Sequence, residues 1–227
     1  DLSGIEMFRN DFIDSFSHEF KTPIVSIRGF ARQLARDSLI DKQRREYLDI
    51  IVRESERLSR LSTNVLLLSR LENQQIVTNK TEFSLDEQLR SCILLLEKQW
   101  SEKEITFDLQ LDEVNYRTNE ELLSQVWVNL LSNAIKFSER DATVEVVCTR
   151  VGNRVVVSIA DHGPGMDEET LHHAFDKFYQ GDSSRASEGN GIGLSIVRRI
   201  CELCGGSIAV DTAPGEGSRF TVTLPGP

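Results

Sequence analysis

The chain has 227 residues, of which 39% are hydrophobic and 27% charged, and its formal net charge is −10 at pH 7. This composition is typical of a globular protein with one large domain or two ordinary ones. The negative charge argues against a nucleic-acid-binding protein, because such a surface must neutralise phosphates. No signal peptide and no apolar run long enough to span a bilayer is recognisable. Because the first residue is Asp1 and not Met, we expect a fragment of a longer protein, whose other segments can include membrane anchors.

The first third of the chain, up to about Glu72, has a helical pattern. Side chains that would form a buried face recur every three or four residues in two stripes. The first stripe comprises Ile13, Phe16, Phe20, Ile24, Ile27, Ala31 and Leu34, and the second comprises Leu48, Ile51, Ser55, Leu58, Val65 and Leu68. A polar break at 36–43 separates them. One helical hairpin cannot bury such stripes by itself, so we expect two copies to pair into a dimeric four-helix bundle.

The polar segment 72–82 predicts a linker or a connecting strand, and the pattern changes beyond it. We expect helices near 85–99, 120–137 and 192–204. Five runs alternate apolar and polar residues as half-buried strands do: ITFDLQL, TVEVVCTRV, RVVVSIAD, GSIAVDT and SRFTVTLP. This half therefore predicts an α+β domain, with helices on one face of an antiparallel or mixed sheet.

The four cysteines do not form the pattern of a zinc site. Cys92 and Cys148 each lie alone in an apolar stretch. Cys201 and Cys204 form a C-x-x-C inside a predicted helix, but no second cysteine pair accompanies them. We expect structural thiols in the core of a protein from a reducing compartment.

The stretch FSHEFKTP, at 16–23, places a histidine beside a glutamate in the first predicted helix. His18 is two positions from both Phe16 and Phe20, which puts it about 200° around the helix from either and therefore in solvent. It can be a metal ligand, a base, a nucleophile or an ordinary surface residue. The zinc-protease motif H-E-x-x-H needs a second histidine where this chain has Thr22, so that site is excluded.

The stretch NLLSNAIKFS, at 129–138, places Asn129 and Asn133 on one helical face, with Lys136 three residues further on. Two amide oxygens and an ammonium group suit a magnesium-phosphate group. Asparagine is a mediocre helix former, so two of them among apolar residues need a reason. A solvated surface remains the alternative.

Two glycine-containing stretches follow. In DHGPGMD, at 161–167, Asp161 ends a predicted strand and can accept a hydrogen bond from a nucleobase amino group, although an ordinary glycine turn is the alternative. In GNGIGLSIV, at 189–197, a glycine-rich loop runs into a helix whose backbone N–H groups can receive phosphate. A Rossmann motif needs a strand before these glycines, and the preceding segment is polar, so a mobile lid over a nucleotide fits better.

Taken in this order, the motifs resemble the conserved boxes of the sensor histidine kinases of two-component signalling. FSHEFKTP resembles the H box, NLLSNAIKFS the N box, DHGPGMD the G1 box, FDKFYQGD the F box and GNGIGLSIV the G2 box. The resemblance covers essentially the whole chain. It implies a dimerisation and histidine-phosphotransfer domain at 1–76, followed at 77–227 by a catalytic ATP-binding domain of Bergerat type, the fold shared with GHKL ATPases.

The resemblance implies roles for the matching residues of the first two boxes. His18 would be the phosphoacceptor and Glu19 its acid-base partner. Thr22, in H-E-x-x-T, would assist dephosphorylation of the response regulator, with a local bond between its hydroxyl and the backbone as the alternative. Asn133 would hold Mg²⁺, assisted by Asn129.

The resemblance also implies an ATP site. Asp161 would bind the adenine amino group, Tyr179 would contact the adenine side, and Arg185 would bind the γ-phosphate. Phe175 and Phe178 would anchor the lid by packing. The other residues implied in nucleotide binding are Lys136, at the phosphates, and Gly163, Gly165, Gly189, Gly191, Gly193 and Leu194.

The function implied is that of an ATP-dependent protein-histidine kinase that phosphorylates itself on His18 and passes the group to an aspartate of a response regulator. The implied partners are a second copy, through the helical hairpin, and the regulator's receiver domain. The implied location is the cytoplasmic part of a membrane-anchored bacterial sensor. Two alternatives remain: an ATPase of the same superfamily that is not a kinase, such as a chaperone or mismatch-repair ATPase, and a non-enzymatic scaffold. The first lacks an H box on a preceding hairpin, and the intact motif residues argue against the second.

Overall fold

The computed structural model describes residues 2–35, 40–181 and 189–226, with side chains from residue 16 onward within these ranges. The chain divides into two compact units. The first unit is Asp1–Leu67 with Lys177–Ile192, and the second is Leu68–Asp176 with Gly193–Pro227. The boundary between Leu67 and Leu68 falls inside the helix Asp41–Asn73. The domain boundary between 76 and 77 stays a prediction.

Two long helices form the main part of the first unit, α1 (Leu2–Leu34) and α2 (Asp41–Asn73). The rings of Phe30 and Tyr47 have their centroids 5.2 Å apart. Glu19 and Arg57 form an ion pair between the same two helices. Along α1 the contacts run from Glu19 to Phe30, while along α2 their partners run from Arg57 back to Tyr47. The two helices are therefore antiparallel. The predicted helical hairpin is confirmed.

Several apolar side chains of the hairpin are exposed in the single chain. Leu48 is 50% exposed, Ile24 47% and Leu66 58%. Phe16, Phe20 and Leu58 are only half-buried. The two predicted stripes are therefore incompletely covered by one copy of the hairpin, which is the condition that favours association with another apolar surface. Among the described helices, none combines the length and the apolar character needed to cross a membrane.

The second unit contains helices and strands in alternation. Its helices are α3 (Leu85–Leu95), α4 (Glu97–Glu102), α5 (Glu120–Phe137), α6 (Glu168–His173) and α7 (Gly193–Leu203). Its strands are β1 (Thr81–Ser84), β2 (Thr106–Leu111), β3 (Asn115–Thr118), β4 (Thr143–Val151), β5 (Arg154–Asp161), β6 (Ser207–Ala213) and β7 (Gly217–Pro225).

Five strands form one sheet in the order β2-β4-β5-β7-β6. The pair β2/β4 is parallel and the other neighbours are antiparallel, so the predicted mixed sheet is confirmed. Strands β1 and β3 form a separate antiparallel pair. The sequence analysis did not predict this pair, because both strands are too short to show an alternating pattern.

Alternating residues of the central strands form the core. Val146, Ile159 and Phe220 are neighbours across β4, β5 and β7, and each is at most 5% exposed. Helix α5 packs against β5, and α7 packs against β6 and β7. Burial on one face explains why the strands alternate apolar and polar residues.

The helix predicted at 85–99 is interrupted, and this part of the prediction is wrong. Leu96 has φ −97° and ψ 13°, outside the helical region, and separates α3 from α4. The indole N–H of Trp100 donates to the carbonyl of Ile93 at 2.9 Å, in the place where a backbone N–H four residues on would donate in a continuous helix. The carbonyl of Ile93 also accepts from the backbone N–H of Leu96 at 3.1 Å, so a side chain and a backbone donor share it at the break.

The cysteines lie in the second unit as free thiols. Cys92, Cys148 and Cys201 are buried, and Cys204 is half-buried. Burial raises the pKa of Cys148 and of Cys201 to about 12, because desolvation disfavours the thiolate. The thiols therefore stay protonated near neutral pH, as expected of structural cysteines.

The carboxyl end of α5 is capped by a lysine that the sequence analysis did not identify. The ammonium group of Lys103 donates to the carbonyl oxygens of Ile135 at 2.9 Å, Lys136 at 2.7 Å and Ser138 at 2.8 Å. The last carbonyls of a helix have no partner within it, and a cation is favourable there. Burial lowers the pKa of Lys103, because desolvation disfavours its charged form.

We predict that Lys103→Met lowers the free energy of unfolding by about 1–3 kcal/mol, because the carbonyls at the end of α5 lose a charged hydrogen-bond donor. Urea denaturation measures the change. Lys98→Met, at an exposed position on α4, is the matched control and should change stability much less. Equal stability of the two variants would contradict the capping role.

Candidate functional site

His18 lies on α1 and is exposed, as the helical geometry predicted. The rings of Phe16 and Phe20 are half-buried with their centroids 4.4 Å apart, so these residues share a face that does not include His18. The imidazole is therefore open to a second reactant arriving from solvent.

Glu19, the next residue, is held by an ion pair. Its Oε2 accepts a hydrogen bond from Nη2 of Arg57 at 3.1 Å, and both side chains are about a quarter exposed. The sequence analysis missed Arg57, because the pairing depends on the register of α1 against α2. The ion pair limits the positions that the Glu19 carboxylate can occupy beside His18.

Thr22 lies one helical turn after His18. Its hydroxyl donates to the carbonyl of His18 at 3.2 Å, which is the local bond weighed as an alternative for this residue. Helix α1 continues through Pro23, which is buried. The hydroxyl of Thr22 is thus fixed to the backbone of the histidine.

The two asparagines and the lysine of NLLSNAIKFS lie on α5. Asn129, Asn133 and Lys136 are half-buried, although their neighbours Leu130 and Leu131 are buried. This agrees with a partly enclosed site better than with a freely solvated face. The ammonium group of Lys136 lies 4.8 Å from the ring centroid of Phe137.

The side chain of Asn129 has a defined orientation. Its Nδ2 donates to the carbonyl of Gln125 at 2.8 Å, which leaves Oδ1 on the other side of the amide. A Cβ atom built on Gly193 would lie 2.7 Å from that Oδ1. The absence of a side chain at Gly193 therefore lets the start of α7 approach α5. Amide oxygens are suitable ligands for Mg²⁺, so this arrangement fits the cation that the sequence analysis implied.

Asp161 is buried at the end of β5, with 6% of its surface exposed. Its Oδ1 accepts a hydrogen bond from the backbone N–H of Gly163 at 2.9 Å. Burial raises the pKa of the Asp161 carboxyl, and hydrogen bonds from the backbone at Gly163 and Ser218 partly oppose that rise. A buried acceptor at a strand end is the arrangement that the sequence predicted.

The turn after Asp161 requires glycine at two positions. A Cβ atom on Gly163 would lie 2.5 Å from the carbonyl oxygen of Phe137, the last residue of α5. Gly165 has φ +67°, and a Cβ atom there would overlap the carbonyl of Ala213. The turn is therefore pressed against the end of α5, and the asparagine helix, the aspartate turn and the start of α7 converge within the second unit.

The segment 177–192 belongs to the first unit, and its two ends are bonded to each other. The N–H of Phe178, which has φ +63°, donates to the carbonyl of Gly191 at 2.9 Å. Gly191 also has a positive φ, +64°, and a Cβ atom there would collide with the backbone of Phe178. Nε2 of Gln180, a residue that the sequence analysis missed, donates to the carbonyl of Gly189 at 3.1 Å.

Three further residues implied in the ATP site are half-buried: Phe175, Tyr179 and Leu194. Arg185 lies outside the described residues. The contacts of these residues to a nucleotide stay predictions.

Two family models match the chain. Residues 8–74 match the His Kinase A (phospho-acceptor) domain. Residues 118–227 match the Histidine kinase-, DNA gyrase B-, and HSP90-like ATPase. The first match contains His18, and the second contains Asn129, Asp161 and Gly193.

Similar proteins include the heme sensor protein HssS of Staphylococcus saprophyticus, which is 32% identical over 223 residues, covering 98% of this chain and 48% of the relative. The sensor histidine kinase AruS of Pseudomonas aeruginosa is 35% identical over 221 residues, which cover 93% of this chain and 22% of AruS. The chain thus spans about half the length, or less, of these curated relatives. Among solved structures, full-length ShkA in complex with AMPPNP matches with a TM-score of 0.70 and 28% identity, covering 95% of this chain and 45% of ShkA.

We predict that Gly193→Ala keeps the fold but weakens ATP binding about tenfold or more, because the new methyl group displaces Oδ1 of Asn129 from a polar site. Isothermal titration calorimetry measures the affinity and thermal denaturation the stability. Gly29→Ala is the matched control, since a Cβ atom there meets nothing within 4 Å. Wild-type affinity in Gly193→Ala would contradict the assignment.

Proposed function

Because the chain belongs to the sensor histidine kinases of two-component systems, we propose that it transfers the γ-phosphoryl group of ATP to His18 and then to an aspartate of a response regulator. The observation that carries this proposal is the exposed His18 on a phospho-acceptor hairpin, in the same chain as an ATPase unit with a convergent polar site. Neither a non-kinase ATPase nor a scaffold accounts for both features.

His18 acts as the nucleophile. Its neutral imidazole attacks the γ-phosphorus with a ring-nitrogen lone pair, so that a P–N bond forms while the bond from phosphorus to the ADP oxygen breaks. Glu19 takes or holds the proton of the other ring nitrogen, which fixes the tautomer and raises the nucleophilicity of the attacking one. The position of Glu19 directly after His18 supports this role, and its carboxylate also pairs with Arg57 of α2.

The second unit binds the nucleotide. Asp161 accepts a hydrogen bond from the adenine amino group, and Gly163 and Gly165 let the ring approach the backbone. Asn133, assisted by Asn129, would hold Mg²⁺, which when bound offsets the phosphate charge. The complex of ShkA with AMPPNP, an ATP analogue, supports ATP as the nucleotide.

The remaining ATP contacts are proposed from the motif match. Lys136 binds the phosphates, and Tyr179 contacts the adenine side. Gly189 and Gly191 shape the segment that closes over the nucleotide, and Leu194 contributes from the start of α7. The bond from Phe178 to Gly191 supports this, since it fixes the two ends of that segment to each other.

The proposed partners are a second copy of the chain and a receiver domain. The exposed apolar residues Ile24, Leu48 and Val52 support association of two hairpins, because one copy leaves them uncovered. The exposure of His18 supports access by the regulator. We place this part of the protein in the cytoplasm of a membrane-anchored sensor, and the similarity to the longer sensor protein HssS supports that location.

We predict that incubation with labelled Mg-ATP gives an acid-labile, alkali-stable phosphoprotein, and that His18→Gln abolishes the label because the acceptor nitrogen is lost. Phosphor imaging after electrophoresis measures incorporation. His172→Gln, at an exposed histidine of α6, should retain the label. Equal label on wild type and His18→Gln would refute the assignment.

We also propose that Thr22 orients the water that hydrolyses the phosphorylated regulator. The position of Thr22, one helical turn after the exposed His18, supports this role, although its hydroxyl also makes the local bond to the His18 carbonyl. Orientation of an attacking water is a positioning effect that a single hydroxyl can supply.

Thr22→Ala is therefore expected to keep autophosphorylation and to lose most of the dephosphorylation of the regulator. The decay of the phosphorylated regulator, with and without the protein, measures the effect. Thr63→Ala removes a similar hydroxyl-to-backbone bond, from Thr63 to Ser59 on α2, and should have no effect. Unchanged dephosphorylation in Thr22→Ala would rule out the role.

A further inference from the structure

Arg199, on α7, is bonded to the carboxyl end of α2. Its Nε donates to the carbonyl of Leu71 at 3.0 Å, and its Nη2 donates to the carbonyl of Gln74 at 2.7 Å. The side chain is 29% exposed, so most of it is enclosed. All three residues belong to the second unit, although α2 begins in the first.

This contact suits the end of a helix. The carbonyl of Leu71 also accepts a bond from the N–H of Gln74 at 3.3 Å, and the carbonyl of Gln74 lies just beyond the helix. The helix dipole makes this end of α2 negative, which favours a cation. A guanidinium group is planar, stays charged and presents several donors at fixed angles, so it can bind two carbonyls at once. Leu68 and Leu71 are at most 2% exposed, so the last turns of α2 are also packed into the second unit.

The segment after α2 is held at a second point. Nδ2 of Asn119 donates to the carbonyl of Thr78 at 3.0 Å, while its Oδ1 accepts from the N–H of Leu122 and caps α5. The segment from Leu71 to Thr78 is therefore bonded to both α7 and α5. The segment is therefore held at both of its ends within the second unit.

Helix α7 joins this connection to the nucleotide site. It begins at Gly193, which contacts Asn129, and Arg199 lies six residues later, about 9 Å along the helix axis. The same short helix therefore has one end at the proposed nucleotide and the middle of its length at the end of α2.

We propose that Arg199 is a positioning residue for phosphoryl transfer: it fixes the end of α2 to the helix that begins at the nucleotide site. The inference rests on the proposed function, because the helix so fixed is continuous with the hairpin that carries His18. Transfer from ATP to His18 depends on the alignment of two reactants, and small displacements of reacting groups reduce such rates strongly.

The test compares Arg199→Ala, Arg199→Lys and Arg198→Ala in the dimeric protein. Arg198 is the matched control because it is the neighbouring residue and, like Arg199, forms an ion pair with Glu202. The measurements are the ATP affinity, the initial rate of autophosphorylation at saturating ATP, and the rate of transfer from phosphorylated His18 to the regulator.

We expect Arg199→Ala to lower the autophosphorylation rate by about tenfold to a hundredfold, with ATP affinity and transfer to the regulator unchanged. Arg199→Lys should retain part of the rate, since an ammonium group can bind one carbonyl but lacks the planar set of donors with which a guanidinium group binds two. Arg198→Ala should behave like wild type. Hydrogen exchange at 71–78 should increase in Arg199→Ala, and exchange in α5 should not.

An autophosphorylation rate in Arg199→Ala equal to that of Arg198→Ala would overturn the proposal. A parallel loss of ATP affinity would also overturn it, because Arg199 would then support the fold of the nucleotide site and not the alignment. Failure of the proposed function is a different result, in which the wild-type protein itself takes no label on His18.

Discussion

The candidate nucleotide site depends on the close approach of the turn after β5, the end of α5 and the start of α7, at positions occupied by glycine. Gly163 places the turn after β5 against the last carbonyl of α5, and Gly193 places the start of α7 against Asn129. A side chain at either position would enter space already occupied by polar atoms. The buried acceptor of Asp161 and the amide oxygen of Asn129 can serve one ligand only because these segments meet. The proposed nucleotide site therefore depends on how closely these backbone segments pack.

Cations stabilise the carboxyl ends of both helices that matter most for the proposed mechanism. Lys103 binds the last carbonyls of α5, which carries the asparagines, and Arg199 binds those of α2, which continues from the hairpin. In each case a charged side chain from a distant part of the chain binds carbonyls at the negative end of a helix. Hydrogen bonds to the carboxyl ends of α5 and α2 thus hold these two helices against other parts of the second unit.

The sequence was sufficient for elements whose own pattern encodes them. The strands β4, β5 and β7 alternate because one face is buried, and α5 was predicted at the observed residues because its apolar face is continuous. The exposure of His18 followed from its position between Phe16 and Phe20. These features depend on neighbours within a few residues, which a linear pattern records.

What the sequence did not reveal depends on residues far apart in the chain. Arg57 faces Glu19 only because of the register of α1 against α2, and Lys103 binds carbonyls more than 30 residues further along the chain. At the break at Leu96, the indole of Trp100 donates to the carbonyl of Ile93, a contact between residues seven apart. Basic residues are common on helix surfaces, so none of these positions has a distinctive local signal.

The continuity of α2 sets a rule for changes in its length. The helix carries Arg57, which pairs with α1, and Leu71, whose carbonyl binds Arg199, without interruption between them. Inserting one residue between these two would turn them by about 100° relative to each other around the helix axis, whereas seven residues would leave only about 20° of drift. An insertion or deletion in this stretch therefore changes the direction in which Leu71 points relative to Arg57 around the helix axis, and whole heptads change it least. The number of residues between Arg57 and Leu71 sets both their separation along the helix and the angle between them around its axis.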